Sequence, residues 1–287
     1  MSTRSSRRWA ALTVPALLLA VAGCGVLESG SDQQDPAAAP LPSPSVTASP
    51  SSSLGSAPPP VGDAELSPAV KGRSVLVVGD SWARYFGDGM AKVASDGNVI
   101  VNAGLGGCGI MMPDTVQGGK KSQSICLKWP QEWPQYMKQY KPDAVLLRTA
   151  NWDLTPQSFD RSEVELTIEY AAFRERFFKN MARAIDILTQ NGTPVYLTNA
   201  RIETGGWKST SLKMNEAVRE VAERYKDRGV HLLDLTAQLC NDSGCPSTVA
   251  GRKLYDDTGH PADWSRDRLA TWILNMMFAG GSAGTRS

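Results

Sequence analysis

The chain has 287 residues, of which 41% are hydrophobic and 21% are charged, so it can form one or two domains with a sizeable core. Its formal net charge is only +1, which excludes the basic surplus typical of nucleic-acid-binding proteins, and we expect no nucleic-acid partner. The number of cysteines is odd, at five, so at least one of them lies outside any intramolecular disulfide.

The first 23 residues have the pattern of a bacterial secretion signal. Three arginines precede an apolar run over residues 9–22, which is shorter than the roughly 20 residues that a membrane span needs. The run ends at Val21-Ala22-Gly23-Cys24, which resembles the bacterial lipobox. That resemblance implies that residues 1–23 are a lipoprotein signal peptide and that Cys24 receives palmitate or a similar lipid. An ordinary signal peptide is the alternative.

The composition changes over residues 24–66, which hold eight of the eighteen prolines and no aromatic residue. Such a segment buries too little apolar surface to offset the entropy of the chain, so we expect a disordered, extended tether. It would hold one globular domain, residues 67–278, off the outer face of the cell membrane. A flexible Gly- and Ser-rich tail, residues 279–287, would follow.

Short apolar runs alternate with longer amphipathic runs in residues 67–278. The predicted strands are Ser74–Gly79, Asn98–Asn102, Ala144–Arg148, Pro194–Thr198 and Val230–Asp234. The predicted helices are Trp82–Ala94, Trp133–Tyr140, Ser162–Gln190, Ser209–Arg228 and Ala262–Phe278. This alternation predicts an α/β fold in which helices cover both faces of a parallel sheet. Because ligands bind beyond the carboxyl ends of such strands, we expect the chemistry in the segments that follow them.

Polar residues follow the first, third and fifth predicted strands. Ser81 lies at a strand-to-helix turn, where free N–H groups favour negative charge, although serine is also a common helix cap. His260 precedes the last helix, and Asp257 lies three residues before it. A carboxylate so placed can orient an imidazole that takes a proton from serine. Asn151 can donate its amide to an oxyanion, or it can form a turn.

Together, Gly79-Asp80-Ser81, Asn151 and Asp257-x-x-His260 resemble the SGNH hydrolases, also called GDSL-type esterases. The resemblance implies a three-layer α/β/α, flavodoxin-like fold with a central five-stranded parallel sheet. It also implies that Ser81 is the nucleophile, His260 the general base and Asp257 its orienting partner.

The same resemblance implies an oxyanion hole made of the Ser81 and Gly107 backbone N–H groups and the Asn151 side chain. Gly107 is chosen by its spacing from Asn102, and Gly106 is the alternative. The third block departs from the Gly-x-Asn-Asp of the family, because Thr149 and Trp152 replace the glycine and the aspartate.

Three other kinds of site fit the sequence less well. Gly104-x-Gly106-x-x-Gly109 matches the dinucleotide fingerprint, but no clean helix start follows it, and the fingerprint belongs to a first strand. The G-x-S-x-G elbow of an α/β-hydrolase is broken, since residue 83 is alanine. The chain has two histidines and no H-E-x-x-H, so we expect neither a metal nor a cofactor.

With Cys24 assigned to the lipid, four cysteines remain, and an even number in an oxidising compartment indicates disulfides. We predict Cys108–Cys126 and Cys240–Cys245, the local pairing among three possible ones.

The sequence therefore predicts a lipid-anchored, extracytoplasmic, monomeric serine esterase. Its substrates would be O-acyl esters, such as O-acetyl esters, of envelope carbohydrates or small molecules. Two alternatives stay open: an O-acyltransferase with the same catalytic residues, and a non-catalytic envelope-binding lipoprotein on the same scaffold.

Overall fold

The computed structural model describes residues 65–94, 97–241 and 244–278. The predicted signal peptide (1–23), its lipidation site Cys24, nearly all of the predicted tether (24–66) and the tail (279–287) lie outside these residues. None of the helices in the described part of the chain has the length and apolarity that a membrane span requires.

The strands and helices of the described residues follow the predicted alternation. The strands are β1 (Ser74–Gly79), β2 (Val99–Gly104), β3 (Thr115–Val116), β4 (Lys120–Lys121), β5 (Ala144–Arg148), β6 (Gln157–Ser158), β7 (Val195–Thr198), β8 (Val230–Leu233), β9 (Thr248–Val249) and β10 (Arg252–Lys253). The α-helices are α1 (Ser81–Val93), α2 (Trp129–Tyr140), α3 (Ala171–Leu188), α4 (Lys208–Arg224), α5 (Leu235–Leu239) and α6 (Asp263–Phe278).

The central sheet has five parallel strands in the order β2-β1-β5-β7-β8. Alternate residues of a strand face opposite sides of a sheet. Val75 and Val77 of β1 accordingly pack with α1, α5 and α6, whereas Leu76 and Val78 pack with α2, α3 and α4. Each face of the sheet thus has its own core, which confirms the predicted three-layer α/β/α fold.

Two of the predicted helices begin more than one residue away from the predicted start, and the other three begin within one residue of it. Helix α2 begins at Trp129 rather than Trp133, because Pro130 fits the first turn of a helix, where its missing N–H costs nothing. Helix α3 begins at Ala171 rather than Ser162. The preceding segment is held as an extended bridge instead, since Leu166 and Gln157 exchange both of their backbone hydrogen bonds, at 2.7 and 2.9 Å.

The turn from β1 into α1 places Ser81 at the carboxyl edge of the sheet. Gly79 has a φ of +129°, and a Cβ there would lie 1.7 Å from the carbonyl oxygen of Arg148 on β5, so only glycine fits. The Asp80 carboxylate Oδ1 then accepts the backbone N–H groups of Trp82 and Ala83, at 2.9 and 3.2 Å. Asp80 is therefore the cap of α1, and Ser81 is free for another role.

Both predicted disulfides are present in the structure. Cys108–Cys126 joins the loop that follows β2 to the short 3-10 helix Ser124–Leu127. Cys240–Cys245 closes the segment between α5 and the β9–β10 hairpin. The disulfides thus restrain two of the loops at the carboxyl side of the sheet.

Candidate active site

The structure brings together Ser81 and His260, which are 179 residues apart in the sequence. The Ser81 Oγ lies 2.7 Å from the His260 Nε2. His260 belongs to a closed turn before α6, in which the Asp256 N–H donates to the His260 carbonyl at 2.8 Å and Tyr255 pairs with Pro261. A serine hydroxyl in this position can lose its proton to the imidazole as the oxygen attacks an acyl group.

The plane of the His260 ring is set by Tyr85, a residue that the sequence analysis did not single out. The two rings are stacked, with centroids 4.5 Å apart and an interplanar angle of 7°. Tyr85 lies four residues after Ser81 on α1, so the two side chains share one face of the helix. That spacing is the signal that could have identified it. The Tyr85 hydroxyl also donates to Asp256 Oδ2 at 3.3 Å.

The structure contradicts the prediction that Asp257 orients His260. The Asp257 side chain is 93% exposed, and its Oδ1 accepts from Lys253 Nζ at 3.0 Å. His260 Nδ1 lies instead 2.8 Å from the Thr258 hydroxyl. The reason is the turn itself: Asp256 accepts the backbone N–H groups of Thr258 and His260, at 2.8 and 3.0 Å, and the following residue faces solvent.

The surroundings of His260 favour its neutral form. The ring is half-buried, and this burial lowers the pKa of His260 below the ordinary 6.5 of imidazole. The negative charge of Asp256 opposes the shift, whereas the guanidinium of Arg201 adds to it. The His260 ring therefore stays neutral, and able to act as a base, down to a lower pH than a free histidine.

We expect the kcat/KM for an uncharged ester to rise with pH through a single acid limb whose midpoint lies below 6.5. The reason is that the general base must be neutral, and the pKa of His260 is lowered. Initial rates with p-nitrophenyl acetate across the acid range measure this limb. Arg201→Gln should move the midpoint upward, because it removes a cation that disfavours imidazolium. A wild-type midpoint above 6.5 would contradict the expectation.

Two of the candidate oxyanion donors, Gly107 and Asn151, lie in the loops beyond β2 and β5. The Asn151 Oδ1 accepts from Arg148 Nη2, and arginine can only donate, so the orientation of the amide is determined. The Asn151 Nδ2 then lies 3.5 Å from Glu203 Oε1, which is a long contact. Gly107 has a φ of +73° and lies beside Trp152 in the loop after β2. The oxyanion roles of Ser81, Gly107 and Asn151 stay predictions.

Asp153 joins these two loops, and the sequence analysis missed it. Its buried carboxylate accepts the backbone N–H groups of Ile110 and Met111, at 3.0 and 3.1 Å. A Cβ on Gly109 would lie 2.1 Å from Asp153 Oδ1. This close approach explains the glycine that matched the dinucleotide fingerprint. Trp152 occupies the position where the family has an aspartate. The available signal was that a carboxylate, Asp153, comes one residue later.

A buried arginine lies behind the site. Arg148, Asp80 and Asp153 are all 0% exposed, and Arg148 Nη1 lies 3.9 Å from Asp80 Oδ2. Burial raises the pKa of Asp80 to about 6, against the attraction of Arg148, and it also raises the pKa of Asp153. One cation thus faces the cap of α1 and the carboxylate that holds the loop of Gly109.

Among the described residues, no group of three or more His, Cys, Asp or Glu side chains is arranged to hold a metal ion. The groups that come together at the site are the Ser81 hydroxyl, the His260 imidazole and candidate hydrogen-bond donors.

Comparisons with known proteins add a family and several structural likenesses. The family model described as "SGNH domain (fused to AT3 domains)" matches residues 51–271. No curated protein matches the chain significantly.

Several solved structures resemble the chain at low identity. A family two carbohydrate esterase from Clostridium thermocellum, in complex with cellohexaose, has a TM-score of 0.46 and 15% identity over 71% of this chain and 64% of that one. Est24, a carbohydrate acetylesterase from Sinorhizobium meliloti, has a TM-score of 0.41 and 16% identity over 71% and 98%. The periplasmic domain of a lipopolysaccharide acetyltransferase from Salmonella ser. Paratyphi A has a TM-score of 0.42 and 15% identity over 71% and 83%.

These likenesses are too distant to assign a substrate. The family model, in contrast, covers most of the chain and includes both Ser81 and His260. The chain therefore belongs to the SGNH, or GDSL-type, hydrolase family.

Proposed function

We propose that this protein is an extracytoplasmic serine esterase that cleaves O-acyl esters, such as O-acetyl esters, of envelope carbohydrates or small molecules. The observation that carries the proposal is the 2.7 Å contact between Ser81 Oγ and His260 Nε2 at the first residue of α1. The N-terminal end of a helix favours the negative charge that develops on the acyl oxygen.

The reaction has two halves that use the same residues. His260 Nε2 takes the hydroxyl proton while Ser81 Oγ bonds to the acyl carbon, and the imidazolium then gives this proton to the departing alcohol oxygen. Water attacks the acyl-enzyme in the second half, with His260 again as the base. The acyl–Oγ bond breaks, Oγ regains a proton from His260, and a carboxylic acid leaves.

The proposed location rests on the sequence and on the two disulfides. Disulfides form and persist in oxidising compartments, which supports a site outside the cytoplasm. Residues 1–23 and Cys24 would supply secretion and a lipid anchor in the outer face of the cell membrane, with the enzyme acting as a monomer.

A second candidate function, O-acyl transfer to a sugar hydroxyl, is favoured by an open groove beside the site. The groove has a volume of about 620 Å³. Most of its lining residues are polar or charged, and Pro261 and Ala262 complete it: Arg84, Tyr85, Asp88, Asp256, Asp263 and Arg266 are the polar ones. Charged side chains of both signs can bind the hydroxyl groups of a sugar. An alcohol bound there would compete with water for the acyl-enzyme.

We expect a fluorophosphonate probe to label the purified protein on Ser81, as read by peptide mass spectrometry. The reason is that only a serine activated by an adjacent base reacts readily with such probes. Release of acetate from an O-acetylated monosaccharide would establish the esterase. Acetylation of an added sugar, with a matching decrease in the acetate released, would establish the transferase. A folded protein that neither takes the label nor turns over an ester would contradict both, and would favour a non-catalytic binder.

A further inference from the structure

We infer that Asp256 orients the catalytic histidine through the hydroxyl of Thr258, so that Asp256 and Thr258 are positioning residues of the site. The inference rests on the proposed function, because it identifies the groups that make His260 a base towards Ser81. It replaces Asp257, the aspartate at the expected spacing from the histidine.

The directions of the hydrogen bonds follow from the chemistry of the three groups. Thr258 Oγ1 lies 2.7 Å from Asp256 Oδ1, and an ionised carboxylate can only accept, so the threonine hydroxyl donates to it. The hydroxyl has then used its one hydrogen. In its second contact, at 2.8 Å, it must therefore accept from His260 Nδ1.

This order fixes the tautomer of His260. A neutral imidazole carries one N–H, and the threonine requires it on Nδ1. The lone pair is thereby left on Nε2, the atom that lies 2.7 Å from Ser81 Oγ. The chain Asp256–Thr258–His260–Ser81 therefore places the base where the nucleophile needs it.

Asp256 is well held in its acceptor role. Its Oδ1 also accepts the backbone N–H groups of Thr258 and His260, and its Oδ2 accepts the Tyr85 hydroxyl. Burial by itself would raise the pKa of Asp256, but the hydrogen bonds from Thr258 and His260 lower it below its ordinary value. One carboxylate thus holds the hydroxyl, the backbone and the stacking ring around the imidazole.

Asp257 offers a matched control, since it is the adjacent residue of the same type. Its carboxylate is 93% exposed and pairs with Lys253, which is itself 69% exposed. Exposed pairs of this kind contribute little to structure. A substitution there changes the same net charge without touching the imidazole.

The experiment compares Thr258→Val, Thr258→Ser, Asp256→Asn and Asp257→Asn in the full chain, with p-nitrophenyl acetate as the substrate. We expect Thr258→Val to lower kcat by roughly 10²- to 10⁴-fold with little change in KM, because an imidazole without its partner loses the productive tautomer. Thr258→Ser keeps the hydroxyl and should retain most of the activity. Asp256→Asn should also move the acid limb downward, since the Asp256 charge raises the pKa of His260. Asp257→Asn should leave kcat and the limb unchanged.

A second measurement does not depend on turnover. The chain has only two histidines, so ¹⁵N NMR of the neutral rings can report the His260 tautomer after assignment with a His231→Gln variant. We expect the proton on Nδ1 in the wild type and in Asp257→Asn, and a shift towards Nε2 in Thr258→Val.

The outcomes separate this inference from the proposed function. If Asp257→Asn loses as much activity as Thr258→Val, or if Thr258→Val keeps the wild-type kcat and tautomer, the assignment of Asp256 and Thr258 is overturned while the esterase stands. If the wild type neither labels nor turns over, both are overturned. Thermal unfolding checks that each variant is folded. If the valine variant is not, Asp256→Asn against Asp257→Asn still decides, because only the Asp256 variant should lose activity and move the acid limb.

Discussion

Ser81→Ala is expected to lower the kcat/KM for ester hydrolysis by about 10⁴- to 10⁶-fold, which is the effect of removing the nucleophile from serine hydrolases. The loss follows from the position of Ser81 Oγ, which is the atom within 2.7 Å of His260 Nε2. Initial rates with p-nitrophenyl acetate and with an O-acetylated sugar measure it.

The same variant should stay folded, because the cap of α1 is not Ser81. The first N–H groups of the helix are bound by the Asp80 carboxylate, so alanine at position 81 leaves that contact in place. Ser209→Ala is the matched control, since the hydroxyl of Ser209, at the start of α4, donates to the exposed side chain of Glu169. A folded Ser81→Ala protein that keeps more than about a tenth of the wild-type rate would be incompatible with the mechanism, because water alone gives far less.

The fold was predictable because its determinants are local. The alternating apolar side chains of β1 and β5 are buried on both faces, and a continuous apolar run of that length is typical of a parallel strand. The helix boundaries were less predictable, since residues 162–170 have helical spacing but Leu166 pairs with Gln157, nine residues earlier in the chain. Backbone pairing with the preceding segment overrides the helical spacing there.

The site was predictable as far as residue types and strand ends determine it. Ser81 follows β1 and His260 comes after β8, the last strand of the central sheet, and the parallel topology brings the carboxyl ends of these strands to one edge. Spacing also pointed to Asp257, but the hydrogen bonds of the turn decide which of two adjacent carboxylates faces the ring. The spacing of residues in the sequence does not determine this, because it depends on which carboxylate accepts the backbone N–H groups of the folded turn.

The buried charges behind the site were the least predictable feature. Arg148 ends an apolar strand, and a charged residue at that place is usually read as the point where the strand reaches solvent. In the structure its side chain is fully buried, with its guanidinium 5.4 Å from the centre of the Trp82 ring. Its partners Asp80 and Asp153 come from two other segments, so no local pattern reveals them.

Arg148→Met is expected to lower the free energy of unfolding by about 3 to 5 kcal/mol, the usual effect of removing one partner from a buried ionic group. Methionine fills much of the same space, but it leaves the carboxylates of Asp80 and Asp153 buried without their cation. Urea unfolding measures the change. Arg176→Met, which breaks an exposed pair with Asp160, is the control and should change stability by at most about 1 kcal/mol.

The loss of unfolding free energy in Arg148→Met should depend on pH, in a direction set by the pKa of Asp80. The pKa of this carboxyl is raised from 3.8 to about 6 in the folded protein, so the folded state binds the proton more tightly than the unfolded chain does. Its contribution to stability is therefore full below 3.8 and is lost as the pH rises through about 6. Without Arg148 the ionised Asp80 carboxylate is less favourable still. The variant should therefore lose more of its free energy of unfolding above about pH 7 than below about pH 5. A deficit that is independent of pH would mean that Arg148 acts through packing against Trp82 rather than through its charge.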